Sequence, residues 1–92
     1  MERIHLVIKG RVQGVYYRKS ATDQALQLGI TGWVRNRRDG SVELVGEGPR
    51  AQLQLFMDWC WSGPQFARVT NIDAQWLLAT GAMVGFEVRA TS

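Results

Sequence analysis

The segment Thr31-Gly32-Trp33-Val34-Arg35-Asn36-Arg37-Arg38-Asp39-Gly40-Ser41-Val42-Glu43-Leu44-Val45-Gly46-Glu47 decides the fold. Thr31 to Arg37 and Ser41 to Glu47 read as two short strands around the Asp39-Gly40 hairpin signal. A two-residue loop would pair Val34 with Val45 and Asn36 with Glu43, and would set Val42 and Leu44 on the face opposite Val34. A three-residue loop of Arg38, Asp39 and Gly40 pairs Val34 with Leu44, Asn36 with Val42 and Arg35 with Glu43. The second register gathers the apolar residues, opposes a cation and an anion across the strands, and uses Gly40 at a left-handed bulge position. Gly32, Val34 and Asn36 then share a face with Val42, Leu44 and Gly46, and that face is expected to lie under helices. Trp33, Arg35 and Arg37 point the other way, as do Ser41, Glu43 and Val45.

Upstream of the hairpin, Ile4, Leu6, Ile8 and Val12 alternate with polar residues as in a strand. From about Arg18 to Leu28, Ala21, Ala25 and Leu28 recur at helical spacing, and Gly29 supplies a stop. Downstream, Pro49 stands where a helix accepts its first residue, and Leu53, Phe56, Met57 and Cys60 follow at i, i+3, i+4 and i+7. Gly63-Pro64 closes this second helix. Arg68 to Leu77 reads as a strand, with Val69 and Ile72 out of alternation as at a bulge, and Phe86 to Arg89 as a short last strand. The order predicts an α+β fold: a ferredoxin-like βαββαβ sandwich, mainly antiparallel, with two helices on one face and a short terminal strand.

At 92 residues the chain is expected to form one domain, residues 1–92. Its 46% hydrophobic and 21% charged content is that of a globular protein, not a disordered one. One cysteine, Cys60, rules out an internal disulfide and a cysteine-based zinc site. No apolar run approaches the roughly 20 residues of a membrane span, and the N-terminus lacks a signal peptide's apolar stretch. A cytoplasmic monomer is the expectation. The net charge is +3, but residues 9–38 carry seven basic side chains against the single acid Asp23. Nine of the eleven basic residues are arginine, whose planar fork suits phosphate and carboxylate. An anionic partner is expected, and the net negative remainder of the chain disfavours a large polyanion.

The stretch Gly10-Arg11-Val12-Gln13-Gly14-Val15-Tyr16-Tyr17-Arg18 joins the first strand to the first helix. It offers no Ser, Thr, Asp or Asn as N-cap, so the first-turn N–H groups lack an obvious side-chain acceptor. Arg18 near a helix N-terminus also opposes the macrodipole. An anion bound there resolves both oddities: the backbone N–H groups cradle it and Arg18 clamps it. In a split βαβ unit the first two strands run parallel, so their C-terminal ends meet at the edge where the first helix begins. This places Asn36, at the end of the second strand and facing the helices, beside the loop. The alternative role of Asn36 is to cap the hairpin turn.

These two segments together resemble the acylphosphatase family. Gly10 to Arg18 is similar to its phosphate-binding signature. Gly32-Trp33-Val34-Arg35-Asn36 with Asp39-Gly40-Ser41-Val42-Glu43 is similar to its second signature. Gly46-Glu47-Gly48-Pro49 and Phe86-Glu87-Val88-Arg89 extend the likeness over essentially the whole chain. Tyr16 and Tyr17 stand where phenylalanine or glycine is common in the family. The resemblance implies hydrolysis of small acyl phosphates to a carboxylate and inorganic phosphate. It implies that Arg18 and the backbone of Gln13, Gly14, Val15, Tyr16, Tyr17 and Arg18 bind the phosphoryl group, and that Asn36 positions the attacking water. Neither metal nor other cofactor is implied, and neither membrane nor nucleic acid is an expected partner.

Other chemistries read less well. Cys60 lies on the apolar face of the second helix as a small core residue, and His5 lies on the sheet surface. Trp59 and Trp61 fall off the main core stripe and are expected to cover sheet edges, a partner surface being the alternative. The competing function is an RNA-binding module on the same architecture, suggested by Trp33 beside Arg35 and Arg37. It lacks the aromatic string on the third strand that such modules use for stacking. A catalytically silent anion-binding domain is the third possibility.

Overall fold

A computed structural model describes residues 1–92. The elements are β1 (Glu2–Arg11), α1 (Tyr17–Gln27), β2 (Thr31–Asn36), β3 (Val42–Gly48), α2 (Arg50–Ser62), β4 (Arg68–Leu78) and β5 (Phe86–Val88). They form a five-stranded sheet in the order β4-β1-β3-β2-β5. Every neighbouring pair is antiparallel except β2 with β5. Alternation on β1 turns Ile4, Leu6 and Ile8 to one face, where they meet Val34, Val42 and Leu44. Ala21 and Ala25 from α1, and Leu53, Phe56 and Cys60 from α2, close over that face. Each fully buried aliphatic side chain there contributes about 2 kcal/mol by leaving water. This is the expected ferredoxin-like sandwich.

The hairpin adopts the three-residue register, with Val34 opposite Leu44, Arg35 opposite Glu43 and Asn36 opposite Val42. Gly40 takes φ 92° at the bulge position. Asp39 holds the turn by accepting from the Ser41 amide at 2.9 Å and the Ser41 hydroxyl at 2.6 Å. Arg35 and His5 both reach Glu43, at 2.7 Å each. The irregularity in β4 is a bulge: Lys9 faces Asn71 and Gly10 faces Val69, so Thr70 is skipped.

Gly32 is required by close approach. It sits at φ 150°, and a Cβ there would lie 1.9 Å from the Val45 carbonyl oxygen. Gly32→Ala is expected to destabilise the fold by about 2–3 kcal/mol, since backbone rather than a pliable side chain must move. An unchanged thermal midpoint would contradict this.

Three details depart from the sequence reading. Pro49 is the residue before the helix, extended at ψ 145°, and its carbonyl already accepts from Leu53 N–H. Trp59 does not cover a sheet edge. It packs on the core, 5.6 Å from the Tyr17 ring and 6.3 Å from that of Phe56, because an indole reaches past the narrow helical stripe. Trp61 remains exposed. The sheet face away from the helices is also less open than alternation suggests. Val45 is buried between the rows of His5 and Trp33, and Glu47 is buried too.

Glu47 ties β3 to the segment that follows β4. Its carboxylate accepts from Arg3 Nε at 2.7 Å, Thr80 N–H at 2.8 Å and Gly81 N–H at 3.0 Å. Desolvation opposes the charged form, but these donors outweigh it and hold the pKa down to about 2, against an ordinary 4.5. A depressed folded-state pKa stabilises the fold above pH 4.5, and this contribution is lost as pH falls through about 2. Glu47→Gln is therefore expected to be less stable at pH 7 and to lose less stability on acidification. Urea midpoints between pH 7 and 2 check this; an equally steep decline in both proteins would contradict it.

Candidate active site

The loop between β1 and α1 is anchored on both sides. Val12, Val15 and Tyr17 are buried in the core. The Tyr17 hydroxyl donates to the Cys60 carbonyl of α2 at 2.6 Å, and burial pushes this phenol well above its ordinary pKa, so it stays neutral. On the other side, the Gln13 amide donates to the Arg37 and Ser41 carbonyls, at 2.8 and 2.9 Å. That bridge fastens the loop to the hairpin bearing Asn36.

Between these anchors the backbone turns left-handed at Gly14 (φ 73°) and at Tyr16 (φ 64°, ψ 24°). Tyr16 is the N-cap residue of α1 and its side chain caps nothing. For a residue with a Cβ this conformation costs about 1–2 kcal/mol. The N–H groups of Gly14 to Lys19 find no acceptor in the backbone or among the side chains. They stand at the positive end of an 11-residue helix, an arrangement suited to an anion.

Arg18, in the first turn of α1, makes no ion pair, although most other charged side chains do. Asn36 ends β2 on the helix-facing side of the sheet. Its side-chain oxygen is buried and has no hydrogen-bond partner, the single such atom in the molecule. An unpaired buried acceptor costs about 1–3 kcal/mol, a cost that native folds rarely carry without a reason.

Arg18 and Asn36 line one cavity of about 570 Å³, together with Val12, Gly14, Tyr16 and Tyr17. Lys19, Thr22 and Asp23 of α1 and Val88 of β5 complete it. Gln13 and Val15 do not line it, because their side chains serve as the anchors just described. Sequence reasoning missed Thr22, one helical turn after Arg18, and Val88, which reaches the cavity because β5 runs parallel beside β2. Asp23 is the one carboxylate in the lining and is bonded to Lys19 at 3.2 Å.

Other reactive groups are disposed differently. Desolvation pushes the Cys60 thiol up to about 12, so it is no nucleophile. His5 is held by Glu43 on the far face of the sheet. The Trp33 ring has Arg35 and Arg89 over it, at 4.9 and 4.8 Å, which occupies the surface a base would stack on.

The class is thus a ferredoxin-like sandwich with an anion-ready loop at the start of its first helix. The acylphosphatase family model matches residues 4–88. The chain is 50% identical over 86 residues to an acylphosphatase of Pelotomaculum thermopropionicum, covering 94% of each protein. It is 49% identical over 88 residues to one of Methylococcus capsulatus, covering 96% of each. The crystal structure of acylphosphatase from Bacillus subtilis superposes with a TM-score of 0.94 at 34% identity, over 97% of this chain and 99% of that one. The chain belongs to the acylphosphatase family.

Proposed function

We propose that the chain hydrolyses the carboxyl–phosphate bond of small acyl phosphates, with Arg18 and Asn36 as its catalytic residues. The observation that carries this reading is one cavity lined by an unpaired arginine, by loop residues whose N–H groups lack acceptors, and by Asn36, whose amide oxygen is buried and partnerless. The Arg18 fork and the backbone N–H groups from Gly14 onward bind the phosphoryl oxygens. The Asn36 oxygen accepts a hydrogen bond from water and sets it in line with the bond to be broken. Water oxygen attacks phosphorus, the P–O bond to the acyl group breaks, and its electron pair leaves on the carboxylate.

Little further machinery is needed. The conjugate acid of the leaving group has a pKa of about 4, so it departs unprotonated. Phosphoryl transfer relies mainly on positioning and charge stabilisation. The proton released by water passes to a phosphoryl oxygen. Lys19 already neutralises the only carboxylate in the cavity, so the proposed step runs without a metal. Gln13 acts as a positioning residue, by fixing the loop against the strand that carries Asn36.

In the same reading, residues 1–92 are one catalytic domain acting as a cytoplasmic monomer without nucleic acid as a partner. No helix is long and apolar enough to cross a membrane. Turnover of benzoyl phosphate in the presence of a chelator tests the activity. Hydrolysis with competitive inhibition by phosphate supports it; an inert protein, or one that stops when chelated, contradicts it.

A further inference from the structure

The cavity is larger than a phosphoryl group requires, since pockets of about 300–1,000 Å³ accommodate drug-sized molecules. Its lining runs from buried to exposed residues. Asn36, whose side-chain oxygen is buried, belongs to its inner lining. In-line attack by a water held there drives the leaving group the opposite way, toward the mouth. The exposed members of the lining sit at that mouth: Tyr16 at 78% exposure and Val88 at 48%, with the Lys19–Asp23 pair. The pair satisfies its own charges, and Arg18 is committed to phosphate. No unpaired charge is left at the rim for a charged acyl group.

Tyr16 is the anomaly here. It is the only residue other than glycine with positive φ, yet its ring is largely in solvent and makes no hydrogen bond. Burial does not offset its backbone strain, and glycine or asparagine would occupy this position more cheaply. Strained residues of this kind concentrate where a ligand is met. We infer that Tyr16 is a specificity-determining residue whose ring, with Val88, forms an apolar wall for the acyl group, so that uncharged aryl or branched acyl phosphates are preferred to acetyl phosphate. The inference rests on the assignment of this cavity to acyl phosphate hydrolysis.

The test is the ratio of kcat/KM for benzoyl phosphate to that for acetyl phosphate in wild type, Tyr16→Phe and Tyr16→Asn. Asparagine tolerates the left-handed backbone, and taking a ratio within each variant cancels general damage to the loop. The ratio is expected to fall about five-fold in Tyr16→Asn, the scale of one lost aromatic contact, and to be retained in Tyr16→Phe. An unchanged ratio in Tyr16→Asn, or an equal fall in both variants, overturns the assignment while leaving the hydrolase reading intact. A wild type inert toward both substrates sinks the hydrolase reading, and the inference with it.

Discussion

Arg18→Ala is expected to lower kcat/KM for benzoyl phosphate by about a thousand-fold, the cost of removing a preorganised charge from a phosphoryl site. Nothing else in the cavity can replace it. Lys19 is engaged by Asp23, and the loop amides supply only partial charges. Phosphate should also inhibit more weakly, because in the proposed role Arg18 holds product as well as transition state. Arg18→Lys should recover only part of the loss, since a point charge lacks the planar fork. Stability should move the other way. Arg18 has no protein partner and stands at the positive end of α1, so its removal is expected to stabilise the fold by roughly 0.5 kcal/mol. Steady-state kinetics with a urea titration measure both effects. A variant keeping a tenth of wild-type kcat/KM would contradict the assigned role.

Asn36→Ala has the second largest expected effect, a fall in kcat of about a hundred-fold, the scale of misplacing one reacting group. It should differ from Arg18→Ala in kind. Phosphate inhibition should persist, because the proposed anion site of loop and Arg18 is left intact, so the loss is in turnover rather than affinity. Removing a buried acceptor that has no partner should leave stability unchanged or raised. Full turnover in Asn36→Ala would refute the proposed water position. Both variants should therefore trade activity for stability, as expected where a fold departs from its own rules to hold a ligand.

Much of this was legible in the sequence because alternation and charge constrain the hairpin. Setting Val34 against Leu44 and Arg35 against Glu43 admits only the three-residue loop. That register alone turns Asn36 toward the helices. The missing cap before α1 was equally readable, since it depends on residue types at a helix start. Side-chain reach and distant loops were not. Glu47 belongs by alternation to the outer face, and its burial depends on Thr80 and Gly81, some 33 residues away in sequence. Trp59 enters the core from the flank of its helix, where periodicity predicts surface. Nothing in the identity of Tyr16 signals its left-handed backbone, a conformation that residues other than glycine and asparagine rarely adopt. Val88 reaches the cavity only through the parallel pairing of β5 with β2, which no local pattern encodes.

The central claim is that water held in this cavity attacks phosphorus. Hydrolysis of benzoyl phosphate in ¹⁸O-water, with chelator present, tests it most directly. One labelled oxygen in the inorganic phosphate and none in the benzoate is the predicted result. Label in the benzoate would place the attack on the acyl carbon and contradict the account.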